Sequence, residues 1–122
     1  METSQQVLDF LDSLGSVTES EILIREMRLS LDMDHDWFMP DIKIKTWLSN
    51  VPADEPYSYT ISHYVKTPVQ GSTYIPSRPW GATEEEVIQN AISAFKNFLH
   101  LAIKKGLEPN EPEPWLVPNE TY

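Results

Sequence analysis

The stretch that most constrains the fold runs from Ala82 to Gly106, ATEEEVIQNAISAFKNFLHLAIKKG. Thr83 suits an N-cap, and Glu86 three residues on completes a capping box. Glu84, Glu85 and Glu86 set negative charge at the positive end of the helix dipole, and Lys104 and Lys105 set positive charge at the other end. Gly106 suits the left-handed position after the helix, and Pro109 blocks continuation. Between these signals Ile88, Ala91, Ile92, Phe95, Phe98, Leu99, Ala102 and Ile103 recur at steps of three and four, which makes one broad apolar stripe. A stripe holding two phenylalanines needs a surface to pack on, and a sheet is what the preceding residues offer.

Residues 41–48 alternate. Ile42, Ile44, Thr46 and Leu48 share one face, and Lys43, Lys45 and Trp47 share the other. Residues 57–66 alternate too, with Tyr57, Tyr59, Ile61, His63 and Val65 on one side and Ser58, Thr60, Ser62, Tyr64 and Lys66 on the other. Pro52, Asp54 and Pro56 mark the loop between them, which is too short for a parallel crossover, so the pair is expected to be antiparallel. Val69 to Ile75 reads as a third strand, made irregular or peripheral by Pro68 and Gly71.

Upstream, residues 4–14 read as a short helix capped by Ser4, striped by Val7, Leu8, Leu11 and Leu14, and ended by Gly15. Residues 18–34 carry two conflicting signals. Thr18 and Glu21 make a second capping box, so a short helix to about Met27 is expected, with an extended stretch after it. Yet Arg25, Met27, Leu29, Leu31 and Met33 also keep the alternation of a strand. Asp32, Asp34 and Asp36 begin as an EF-hand loop begins, but Trp37 and Lys43 stand where such a loop needs Gly and Glu, so a solvated turn is expected. Downstream, Pro109, Pro112, Pro114 and Pro118 prevent a helix and favour an extended tail. Trp115, Leu116, Val117 and Tyr122 are too apolar for an idle tail, and Trp115 is expected to dock on the body or on a partner.

The expected fold is α+β: a small antiparallel sheet of two or three strands, packed by the long C-terminal helix and preceded by an N-terminal helical segment. One domain is expected over residues 1–122, with an acidic helical segment at 1–36, the sheet and helix at 41–106 and the Pro-rich tail at 107–122. Apolar content of 40% is ordinary for a globular chain. The absence of cysteine excludes disulfides and thiolate metal sites and fits a cytoplasmic protein. The opening METSQQVLDFLDSLG has no basic n-region and no long apolar run, so neither a signal peptide nor a membrane span is expected.

The net charge of −10 is uneven. Residues 1–36 carry nine acids against Arg25 and Arg28, while residues 37–80 are close to balanced. Such a chain repels phosphate backbones and attracts basic partners, so direct nucleic-acid binding is not expected and a basic protein partner is. His35, His63 and His100 have no metal-ligand spacing, and no phosphate loop or nucleophile elbow is present. No acid falls inside the expected strands beyond Asp41 at a strand end, so nothing is paired for acid–base work. The expectation is therefore a non-enzyme without catalytic residues, metal or cofactor. Aromatic residues crowd the middle of the chain instead, and such side chains combine contact area with a polar handle. Trp47, Tyr57, Tyr59, Tyr64, Trp80 and Trp115 are the candidate partner contacts; each could equally be core. Trp47 stands apart, because its parity points it away from the core face beside Lys43 and Lys45.

Gly81-Ala82-Thr83-Glu84-Glu85-Glu86-Val87, continuing to Asn90-Ala91-Ile92, resembles the helix start of HicB-like antitoxins, which favour Gly-x-Thr-x-Glu-Glu-Ala followed by Asn-Ala. Gly106 followed by Glu108-Pro109 and Glu111-Pro112-Glu113-Pro114 is similar to the segment after that helix. The likeness covers a quarter to a third of the chain, and Ser77-Arg78-Pro79-Trp80 departs from the Asp-Leu-Pro-Gly-like stretch of the family. The resemblance implies an inactive, ribonuclease-H-like sheet-and-helix domain that binds and neutralises a small basic RNase toxin. A phage- or mobile-element-encoded inhibitor of a nucleic-acid-handling protein has the same physical description. A structural protein that self-associates into a homo-oligomer through an exposed strand edge is the expectation from a different class, and an enzyme with a site assembled from dispersed residues is a third.

Overall fold

The structure is a computed structural model and describes residues 3–122. Its elements run α1 (Ser4–Asp12), β1 (Glu21–Ser30), β2 (Asp41–Ser49), β3 (Tyr57–Ile61), β4 (His63–Val65), β5 (Trp80–Gly81), α2 (Glu84–Lys104) and β6 (Leu116–Pro118). A four-stranded sheet in the order β1-β2-β3-β5 is antiparallel throughout, and β4 pairs with β6 in a second, two-stranded sheet. The class is α+β, with more strands than the two or three expected.

The long helix forms where the capping signals put it. The Thr83 hydroxyl accepts the Glu86 N–H at 3.1 Å. The Glu86 carboxylate does not close the box on Thr83; it accepts the Ala82 N–H at 3.0 Å, one residue upstream. At the other end Gly106 adopts φ 83°, and the Leu107 and Gly106 N–H groups bond Ala102 and Ile103 carbonyls, a Schellman closure. Val87, Ala91, Ala94, Phe95, Leu99 and Ala102 face inward and are buried. They pack on β2, β3, β4 and β5. Ile42, Ile44, Tyr59, Ile61 and Val65 supply the sheet side of that core. Gly81 must be glycine here, since a Cβ would stand 2.9 Å from Val87 Cγ1.

The region expected to start as a helix is a strand. β1 pairs with β2 from Glu21 to Ser30, with a register shift between Leu23 and Arg25. Ile22, Leu23 and Ile24 include two β-branched residues that favour a strand, and the alternation from Arg25 to Met33 decides the conformation. The Thr18–Glu21 box is a coincidence of residue types. The bulge at Ile24 lets Ile22 keep the same face as Met27 and Leu29. In the turn between β1 and β2, Asp34 takes φ 53° and donates its N–H to the Asp32 carboxylate at 2.9 Å.

Two further expectations need correction. The cap of α1 is Thr3, not Ser4: its hydroxyl accepts the Gln6 N–H at 3.1 Å and the Gln6 side chain accepts the Thr3 N–H at 2.7 Å. Val69–Ile75 is not a strand; only Tyr74 bridges to Val65, and the third neighbour in the main sheet's β2–β3 ladder is the two-residue β5. Pro68 and Gly71 break that stretch as their chemistry predicts.

The tail docks on the body. Trp115 is 1% exposed and sits in the main core, edge-on to Phe38 at 6.0 Å between ring centres. Its indole N–H donates to the Glu111 carbonyl at 3.1 Å, and Lys66 N–H donates to the Trp115 carbonyl at 2.8 Å. The chain then runs along β4 as β6, and Tyr122 ends above Lys45, whose ammonium lies 4.1 Å from the ring centre. The tail thus passes from the helix layer to the opposite face of the sheet.

Candidate functional site

One face of the main sheet carries the helix. The other carries Glu21, Leu23, Glu26, Arg28, Lys43, Lys45, Trp47, Ser58, Thr60 and Trp80, as the register requires. Within it, Leu23 stands opposite Trp47, Trp47 opposite Ser58, and Ser58 opposite Trp80. A single cross-strand row therefore spans all four strands. Leu23 is 44% and Trp80 41% exposed, and Trp47 is half-buried. The Trp47 indole N–H donates to the Thr60 hydroxyl at 3.2 Å, which fixes the ring across β3. Two large apolar side chains, Leu23 and Trp80, are thus left open on this sheet face.

Charge is arranged around the row. On one side lies Glu21, paired with Ser49 beside Leu23 and Trp47, with Glu19 and Val51 in the adjoining cleft of about 300 Å³. On the other side lie Glu26 with Lys45, then Arg28 with Lys43. Tyr122 reaches into this side, and its hydroxyl donates to Glu26 at 2.7 Å. Burial and the Glu26 carboxylate push the Tyr122 phenol up from its ordinary value.

The six candidate aromatics divide. Trp47 and Trp80 lie on the uncovered face in one row. Tyr57 and Tyr64 are half-buried and pack against the core cluster. Tyr59 and Trp115 are buried, at 6% and 1% exposed, and are inaccessible to a partner in this conformation. Burial pushes the Tyr59 phenol up to about 12. Leu23 is not among the aromatic candidates and lies in a segment whose capping signals favour a helix; the run Ile22-Leu23-Ile24 is the sequence signal that marks it.

A second feature is chemical. Ser62 and His63 occupy the junction of β3 and β4, with Ser62 Oγ 2.8 Å from His63 Nδ1. The same hydroxyl accepts the Lys43 N–H at 2.8 Å. Arg28, Asp41, Lys43 and Tyr122 join them around an open cleft of about 270 Å³. Asp41 accepts hydrogen bonds from the Ser30 hydroxyl and from Arg28, which hold its carboxyl below the usual range. Burial pushes the His63 imidazole down. Among the described residues no carboxylate is hydrogen-bonded to His63, and there is no group of three metal-ligating side chains. Ser62 and His63 thus form a hydrogen-bonded pair at the strand junction.

Among the described residues no helix is long and apolar enough to cross a membrane. Comparison with known proteins returns no matching family model, curated protein or solved structure.

Proposed function

We propose that the chain is a non-enzymatic protein-binding module whose partner is a basic protein. The observation that carries this reading is the row Leu23–Trp47–Trp80, open on the uncovered sheet face and flanked on one side by Glu21 and Glu19. Apolar anchors supply the desolvation energy, and acids beside them, on a chain of net charge −10, steer a cation-rich partner onto them. The HicB-like resemblance suggests one specific form, neutralisation of a small basic RNase; three antiparallel strands followed by a capped helix are compatible with it.

The test is a tagged pull-down at about 50 mM and about 300 mM salt, with the wild type and with Trp47→Ala. A basic protein recovered at low salt, depleted at high salt and lost with Trp47→Ala is the expected outcome. Its ribonuclease activity, measured with and without the chain, then tests the antitoxin form. Recovery of the bait alone, or of the same protein irrespective of salt and of Trp47, overturns the reading.

A further inference from the structure

The two edges of the main sheet differ. One is β5, two residues long; the other is β1, ten residues long, and its outer side has no strand on it among the described residues. A long edge is a template for another strand unless something blunts it. The bulge at Ile24 blunts one end but leaves Arg25–Ser30 regular. This stretch contains no proline. Its core-side residues are also poorly covered: α2 lies over β2, β3 and β4, and Met27 and Leu29 are only half-buried at the margin of the core.

The ladder determines which backbone groups are free. Leu31 N–H bonds the Pro40 carbonyl at 2.9 Å, so Leu31, Leu29 and Met27 turn their backbone groups toward β2. Glu26, Arg28 and Ser30 therefore present theirs outward. A two-fold related copy of β1 can pair only in registers that set these residues opposite one another. Centring on Glu26 opposes Glu26 to Glu26, and centring on Arg28 opposes Arg28 to Arg28. Centring on Met27 opposes Glu26 to the copy's Arg28, and does so twice. Unlike charges opposite one another stabilise a sheet pair and like charges destabilise it. Both side chains are exposed on the uncovered face, and Glu26 uses only Oε2 for Tyr122.

From this self-complementarity we infer that the chain forms an isologous dimer through antiparallel β1–β1 pairing about Met27, joining two four-stranded sheets into one. The pairing uses the edge, not the Leu23–Trp47–Trp80 row, so it stands or falls separately from the basic-partner reading.

The chain has no cysteine, so a single introduced one reports the register. At the two-fold axis the two copies of residue 27 form a non-hydrogen-bonded pair with Cα atoms about 4.5 Å apart, within disulfide reach. Met27→Cys is expected to give a covalent dimer under mild oxidation. Leu23→Cys is not, because eight positions of offset at about 3.3 Å each separate the two copies by roughly 26 Å. Light scattering on the unmodified chain should show a mass rising toward twice that of the monomer with concentration. Arg28→Glu should abolish the rise, and Arg28→Glu combined with Glu26→Arg should restore it, with circular dichroism checking that each variant folds. A mass that stays monomeric at every concentration overturns the inference. So does cross-linking through Leu23→Cys as readily as through Met27→Cys, or dimerisation indifferent to Arg28→Glu.

Discussion

Single residues in this fold carry identifiable burdens. Gly106 has φ 83° and open space where a Cβ would go, so its substitution tests backbone conformation alone. Gly106→Ala should destabilise the chain by about 1 kcal/mol, and Gly106→Asn by less, measured by chemical denaturation. An unchanged midpoint for Gly106→Ala would show that the helix end relaxes into another closure. Glu84 is more heavily used: one carboxylate accepts Arg25 at 2.6 Å and 3.1 Å and the fully buried Thr46 hydroxyl at 2.8 Å. Glu84→Ala leaves that hydroxyl without its partner and should cost about 1–3 kcal/mol, more than loss of an exposed ion pair. Thr46→Val combined with Glu84→Ala should recover part of the loss. His63 sets a pH dependence. Its folded pKa lies below the ordinary 6.5 because burial disfavours the charged ring. The unfolded chain therefore binds the proton more readily, and stability falls as pH drops through 6.5 toward the folded value. The denaturation midpoint of the wild type should fall relative to that of His63→Gln as pH drops through this range, and an NMR titration of the ring should give a midpoint under 6.5.

Elements differ in how far local sequence specifies them. α2, β2 and the first half of the 57–66 strand announce themselves by caps and by uninterrupted period, because each is long enough for its own pattern to dominate. β1 was ambiguous for a physical reason. Its bulge breaks the alternation between Leu23 and Arg25, and Thr18 and Glu21 imitate a helix start. β5 and β6 could not be read at all, since two- and three-residue strands exist only through their partners. The candidate row shows the same division. Parity alone turned Trp47 away from the core, but joining it to Leu23 and Trp80 needed the register of three ladders. Tyr59 was legible as sheet and not as buried beyond a partner's reach. The tail is the element with the largest energetic consequence. Trp115 fills core space beside Phe38, and its backbone carbonyl takes the Lys66 N–H just past the end of β4. Trp115→Ala should cost about 3–5 kcal/mol, a large share of the stability of a small domain, and should release β6 from β4. Hydrogen exchange at Tyr64 and Lys66 reads that release directly; retained protection there would mean that β6 holds without its anchor.

At the scale of the whole molecule the governing quantity is charge. A chain of net charge −10 repels itself when folded, and few of its acids are paired. The described residues show three ion pairs, Arg25–Glu84, Arg28–Asp41 and Arg78–Glu55, each with its arginine more than half exposed. Exposed pairs contribute at most about 1 kcal/mol apiece, whereas the acids of residues 9–21, of the tail and Glu85 and Glu86, which are in none of these pairs, add repulsion at longer range. Added salt screens that long-range term most strongly, because the Debye length shrinks to about 10 Å at 0.1 M. The melting temperature of the free chain should therefore rise between about 50 mM and about 300 mM sodium chloride. Binding to a basic partner should change in the opposite direction over the same interval, because there screening removes attraction. The two measurements belong together. A salt-stabilised fold with a salt-weakened complex locates the attraction between chain and partner in the excess acidity. A melting temperature that falls with salt would place the dominant electrostatics in the three ion pairs, and the net charge would then cease to be an argument for a basic partner.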